Sequence, residues 1–93
     1  MDLSRDTVVT RTNGQVSSDL GGEVVIFDVD AGTYFGLEGV GARVWELLGQ
    51  SVTMGEIERI LLEEYDVEPE RCWRDLVHLL SGLIERGLVE VPD

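Results

Sequence analysis

The residues able to do chemistry in this chain are few and poorly spaced for it. His78 and Cys72 are the only histidine and the only cysteine, six positions apart. On a helix that spacing is a rotation of about 240°, so the thiol and imidazole cannot serve each other as nucleophile and base. They read as a buried small thiol and an imidazole at the rim of the core. Asp28-Val29-Asp30-Ala31-Gly32 opens like a calcium loop but lacks the further ligands and the closing glutamate, so it reads as a turn. Gly39-Val40-Gly41 has no third glycine and no strand–helix–strand setting for a dinucleotide, so it reads as a helix entry. Ser81 lies deep in a predicted helix and Ser17 and Ser18 in a predicted strand, so none stands at the helix start where a carrier protein needs its modifiable serine. No catalytic set, metal set or cofactor cradle assembles from these residues. The expectation is a protein that binds rather than catalyses.

Charge narrows what it binds. Seven arginines, no lysine and 19 acidic residues give a net charge of −12 over 93 residues. A phosphate backbone or an anionic membrane would be repelled, so neither nucleic acid nor membrane is expected as a partner. The length suits one domain, expected over residues 1–93, with 1–14 as a loosely ordered N-terminal extension. A single cysteine excludes an internal disulfide, and there is neither a secretory signal nor an apolar run near the roughly 20 residues of a membrane helix. A cytoplasmic protein is expected.

The elements that must position a binding site follow from periodicity. Gln15 to Leu20 and Glu23 to Val29 read as strands around Gly21-Gly22, a pair suited to the positive φ angles of a two-residue hairpin. Asp30-Ala31-Gly32 makes the next turn, and Thr33 to Leu37 a short aromatic strand at the sheet edge. Thr7 to Arg11 is a further short strand ahead of an Asn13-Gly14 turn. Three helices follow. The first carries Ala42, Val44, Trp45, Leu47 and Leu48 and ends at Gly49 as a left-handed cap, with Glu38 standing as a poor N-cap. The second starts at the capping box Thr53-Met54-Gly55-Glu56, and the third runs from Pro69 to Arg86 before Gly87, with Leu88 folding back on Leu83. The segment 88–91 either pairs with a strand or covers the core.

Two features exceed what a core requires. The third helix has one stripe of Cys72, Leu76, Leu79 and Leu83 and a neighbouring stripe of Trp73, Val77, Leu80 and Ile84, wider together than the band of about 100° that a packed helix buries. The strand Thr33-Tyr34-Phe35-Gly36-Leu37 has none of the charges or prolines that normally guard a sheet edge. An unguarded edge beside an over-apolar helix makes a groove with a backbone ladder on one wall, suited to an added strand. Strands with three helices also fit a winged helix-turn-helix, but the helix 69–86 balances Arg71, Arg74 and Arg86 against Glu70, Asp75 and Glu85, the wrong charge for DNA.

Five segments in order resemble the PqqD-like family of recognition elements for ribosomally made, modified peptides: residues 22–29, 32–37, 41–48, 65–69 and 83–89. The likeness is in particular to the stand-alone leader-peptide recognition proteins of lasso-peptide biosynthesis. It implies an α+β, winged helix-turn-helix-like fold, with a three-stranded antiparallel sheet followed by three helices. It implies a protein that is not an enzyme, needs no cofactor or metal, and binds the leader of a precursor peptide as an added strand. In lasso pathways such a protein hands the precursor to a leader-cleaving cysteine protease. Carried over by position, the strand wall is Thr33, Tyr34, Phe35, Gly36 and Leu37, and the helix wall is drawn from Trp73, Leu76, Val77 and Leu80. Arg71 and Arg74 meet either acidic leader residues or local carboxylates. The alternative reading is a winged-helix module that binds another protein or itself, with a DNA-binding regulator behind it.

Overall fold

The computed structural model describes residues 2–13 and 15–92; Gly14 of the expected Asn13-Gly14 turn lies outside them, as does the side chain of Val16. Three strands, β2 (Gln15–Asp19), β3 (Glu23–Asp28) and β4 (Thr33–Glu38), form an antiparallel meander in that order. Gly21 and Gly22, at φ 73° and 95°, make the tight β2–β3 hairpin in which the Leu20 N–H donates to the Glu23 carbonyl at 2.7 Å. The sheet presents Val24 and Ile26 to the core, with Phe35 and Leu37 of β4 on the same face.

Three helices pack against that face: α1 (Val40–Leu47), α2 (Met54–Glu64) and α3 (Pro69–Glu85). The α+β fold, a three-stranded antiparallel sheet followed by three helices in a winged-helix-like arrangement, agrees with the sequence reading. Thr53 caps α2 as expected, its hydroxyl accepting from the Glu56 N–H at 3.1 Å. At the end of α3 the Gly87 N–H donates to the Ile84 carbonyl and the Leu88 N–H to the Leu83 carbonyl, both at 3.0 Å, which is the Schellman pattern. Helix α1 differs from expectation at both ends. Gly39, at φ 58°, is its N-cap rather than Glu38, and Gly49 is not left-handed because Leu48 closes the helix in right-handed conformation.

The N-terminal residues are not a loose extension. A second small sheet joins β1 (Val8–Arg11) to β5 (Val52–Thr53) on one side and β6 (Val89–Glu90) on the other, and Val9 is fully buried. The expected tail strand therefore pairs with β1 and leaves the edge of β4 uncovered. Ahead of β1, Arg5 makes a two-pronged ion pair with the buried Glu58 at 2.8 and 3.0 Å, and its guanidinium lies 4.3 Å from the Trp73 ring centroid. Glu58 in turn holds the Arg5 guanidinium above its ordinary pKa. Among the described residues no helix is long and apolar enough to cross a membrane.

Candidate peptide-binding groove

The register decides which groups β4 offers to a newcomer. In an antiparallel ladder, hydrogen-bonded pairs alternate with pairs that are not. Leu20–Glu23 is a hydrogen-bonded pair, so Glu23, Val25 and Phe27 aim their main-chain groups at β2, and Val24, Ile26 and Asp28 aim theirs at β4. Their β4 partners Leu37, Phe35 and Thr33 are tied inward. Tyr34, Gly36 and Glu38 are left with N–H and C=O groups on the open edge, since β4 has a neighbour on one side only.

Helix α3 is tied to β4 and to the region beyond it at two places. At its C-terminal end the Arg86 guanidinium sits 4.2 Å from the Phe35 ring centroid. At its other end Cys72, Asp75, Leu76 and Leu79 wall a cavity of about 320 Å³ whose far side is Val40, Gly41 and Val44, just beyond the end of β4. Leu61, Tyr65 and Val67 complete a lining in which Asp75 is the one charged residue. The α3 residues that wall this cavity are Cys72, Asp75, Leu76 and Leu79, with Cys72 and Leu76 also part of the core. Burial, with the nearby Glu58 and Asp75 carboxylates, pushes the Cys72 thiol above its ordinary pKa, so it lines the cavity as a neutral group.

The structure redistributes the residues named from sequence. Tyr34 is exposed, Gly36 is open, and Phe35 and Leu37 are half-buried against the core; Thr33 is exposed at the start of β4. On α3 the expected wall is one residue out of phase. Leu80 is fully buried and Leu76 nearly so, both within the central core cluster; Leu76 also reaches the cavity lining, whereas Leu80 does not. Trp73 and Val77 lie on the stripe that the N-terminal segment covers: Arg5 stacks on Trp73, and Leu3 shares a hollow with Ser81, Ile84 and Glu85. Segment 2–7, expected to be loose, thus covers Trp73 and borders Ile84, whereas Leu80 of the same stripe is buried by the core itself. Arg71 reaches the local Asp75 at 3.7 Å, and Arg74 is exposed with no ion pair among the described residues. Cys72, Asp75 and Leu79 are the α3 residues of the cavity lining that sequence reasoning left out of the site, as it did Arg86 against Phe35. Cys72 and Leu79 stood together on the first stripe, which was a usable signal, but stripe membership alone could not say which positions line a cavity.

A backbone ladder facing an apolar helix wall can hold an extended chain, with alternate side chains entering the cavity. Nothing in it pairs an acid with a base, and among the described residues no group of three or more His, Cys, Asp or Glu is placed to hold a metal ion. Known proteins share this architecture. A solved structure described as TbiB1 in complex with the TbiA(beta) leader peptide is 34% identical, covers 90% of this chain and 98% of its own, and superposes with a TM-score of 0.84. A lasso peptide synthetase B1 complexed with the leader peptide is 22% identical over 88% of this chain and 96% of its own, with a TM-score of 0.78. The solution structure of the PqqD truncation of Methylobacterium extorquens PqqCD, described as a stand-alone recognition element for ribosomally made, modified peptides, is 22% identical over 96% of this chain and 95% of its own, with a TM-score of 0.76. At that identity the latter two bear on the fold alone. No curated protein matches the sequence significantly. The family model for coenzyme PQQ synthesis protein D (PqqD) matches residues 23–89, the span that runs from β3 through the groove to β6. With that match over most of its length and a 34%-identical structure of the same fold, the chain belongs to the PqqD family.

Proposed function

We propose that this protein is a non-catalytic leader-peptide binding protein, one domain over residues 1–93, acting in the cytoplasm. It captures a ribosomally made precursor by strand addition along β4 and delivers it to the leader-cleaving cysteine protease of a lasso-peptide pathway. The observation that carries the reading is the open main-chain edge of β4 at Tyr34, Gly36 and Glu38, with an apolar cavity walled by α1, α2 and α3 beyond the end of that strand. The relative at 34% identity, a leader-peptide complex, supports the same ligand class. The groove of this chain suits an extended peptide with apolar side chains at alternate positions, the cavity by Leu79 taking one of them. Arg71 and Arg74 are left for acidic residues at the rim, where Arg71 already has Asp75 as a local partner.

Titration calorimetry tests this with the leader and core segments of the precursor encoded beside the chain. The leader is expected to bind one-to-one and the core segment not at all. Equal binding of the two would sink the assignment. Duplex DNA at physiological salt is the control for the regulator reading, and a tight, salt-sensitive complex would revive it. The same open edge also fits pairing between two copies, which sedimentation of the protein alone would reveal as a dimer.

A further inference from the structure

On the side of β4 turned away from the core, a missing side chain leaves a hollow at the open edge. Val24 and Ile26 point into the core, so Glu23, Val25 and Phe27 point the other way, and Glu38, Gly36 and Tyr34 of β4 stand directly across from them. Gly36 creates the gap. Its φ is not positive, so the backbone there does not require glycine, and a Cβ built on it would meet nothing within 4 Å. The hollow measures about 240 Å³, and its lining includes Val25 and Gly36 and, two residues along each strand, Glu23 and Glu38.

The two glutamates work against the sheet. The ladder alternation makes Glu23 and Glu38 a pair without mutual hydrogen bonds, the kind that brings side chains closest, and like charges so placed destabilise a sheet. Neither has an ion-pair partner among the described residues, and no arginine or lysine occurs between positions 12 and 42. Arg43, the next cation along the chain, is taken by Glu46 and Glu64. A strand added to β4 brings a side chain to this place. Its residues paired with Tyr34, Gly36 and Glu38 set their side chains on the same face as those three, and the residues between them turn to the side of Phe35 and Leu37. The residue paired with Gly36 therefore lies over the hollow.

We propose that the leader carries an arginine or lysine at the position paired with Gly36, its stem lying over Gly36 and Val25 and its charged head between Glu23 and Glu38. This subsite rests on strand addition along β4 and adds a requirement on the outward side of the bound peptide. Long basic side chains suit it because they combine an apolar stem with a charged head, which matches a hollow lined by glycine and valine and bordered by carboxylates. The cation relieves the repulsion between Glu23 and Glu38, and an arginine can bond both. A peptide with an acidic residue there would bring a third like charge to the pair, so the subsite selects against it as well as for the cation. Charge complementarity at this edge also speeds encounter between a basic peptide segment and a protein of net charge −12.

Titration calorimetry at low and high salt, with the leader of the precursor encoded beside the chain, tests this. Gly36→Val fills the hollow where the fold has room for a side chain. It should hold or raise the melting temperature and lower leader affinity about tenfold. Glu38→Gln should stay folded, lower affinity about three- to fivefold and flatten its dependence on salt. Changing the leader's basic residues to glutamate one at a time should reveal one position whose lost affinity Glu38→Arg restores. Native affinity in a folded Gly36→Val variant shows that no side chain enters the hollow and overturns the subsite. Native affinity in Glu38→Gln, with no leader position rescued by Glu38→Arg, assigns the hollow to an uncharged side chain and overturns the charge requirement. In both cases the leader still binds. Failure of the native protein to bind the leader at all overturns strand addition itself, and the subsite with it.

Discussion

The Arg86 guanidinium, at the C-cap of α3, lies over the Phe35 ring of the edge strand at 4.2 Å from its centroid. Within the helix, the half-buried Leu79 walls the cavity with Asp75, Leu76 and Cys72, whereas Leu80 is fully buried in the core and does not reach it. The difference between a groove residue and a core residue is here a single position, or about 100° of rotation.

That relationship predicts opposite outcomes for neighbouring substitutions. Leu80→Ala should cost about 2–5 kcal/mol of stability, as removal of a fully buried leucine does, read by urea denaturation. Leu79→Ala should cost less stability and weaken leader binding by about 1–3 kcal/mol, as loss of an anchor does. If Leu80→Ala instead leaves stability intact and removes binding, the helix has been read on the wrong face.

The β4 register predicts the fate of two proline variants. The Phe35 N–H is tied inward to β3, so Phe35→Pro should unfold or strongly destabilise the domain. Tyr34 aims its N–H outward, so Tyr34→Pro should stay folded and lose roughly 1 kcal/mol of leader affinity, plus strain and side-chain contacts. Melting curves separate the pair before any peptide is added. A folded Tyr34→Pro variant with wild-type leader affinity would show that the docking strand is elsewhere.

Cys72 gives stability a pH dependence with a definite sign. Burial raises its folded pKa above the ordinary thiol value of about 8.5, so above that pH the unfolded chain loses a proton that the folded chain keeps. Its contribution is complete below about pH 8.5 and declines as pH rises toward the folded pKa, by at most about 1.4 kcal/mol per pH unit. Cys72→Ala should flatten the alkaline limb of a stability–pH profile. An unchanged limb would mean that the thiol titrates alike in both states.

The cap at Thr53 should be worth about 1 kcal/mol, because its hydroxyl satisfies the Glu56 N–H at the start of α2. Thr53→Ala is expected to lower the denaturation midpoint by that amount while leaving leader binding alone, since α2 starts on the side of the small β1 sheet. A loss of binding without a loss of stability would contradict this placement.

What the sequence by itself determined were the features encoded by local chemistry. Gly21-Gly22 makes a tight hairpin because both need positive φ; Thr53 and Glu56 start a helix; Pro69 and Gly87 bracket another, and Leu88 folds back on Leu83. The exposed edge at Thr33 to Leu37 was also legible, because an unguarded strand shows in its residue types. Tertiary structure alone decided how the two stripes of α3 divide between core and surface: Cys72, Leu76, Leu80 and Leu83 are buried, whereas Trp73, Val77, Leu79 and Ile84 are half-buried. Both stripes are apolar, so their burial depended on what lies over them; Trp73 and Ile84 meet Arg5 and Leu3, some 70 residues earlier in the chain. The pairing of β1 with β6, which leaves β4 open, and the placing of Glu23 opposite Glu38 are likewise contacts between distant segments. Local propensity carries no information about such pairs; they form only when the whole core closes around Val9, Ile26 and Leu80.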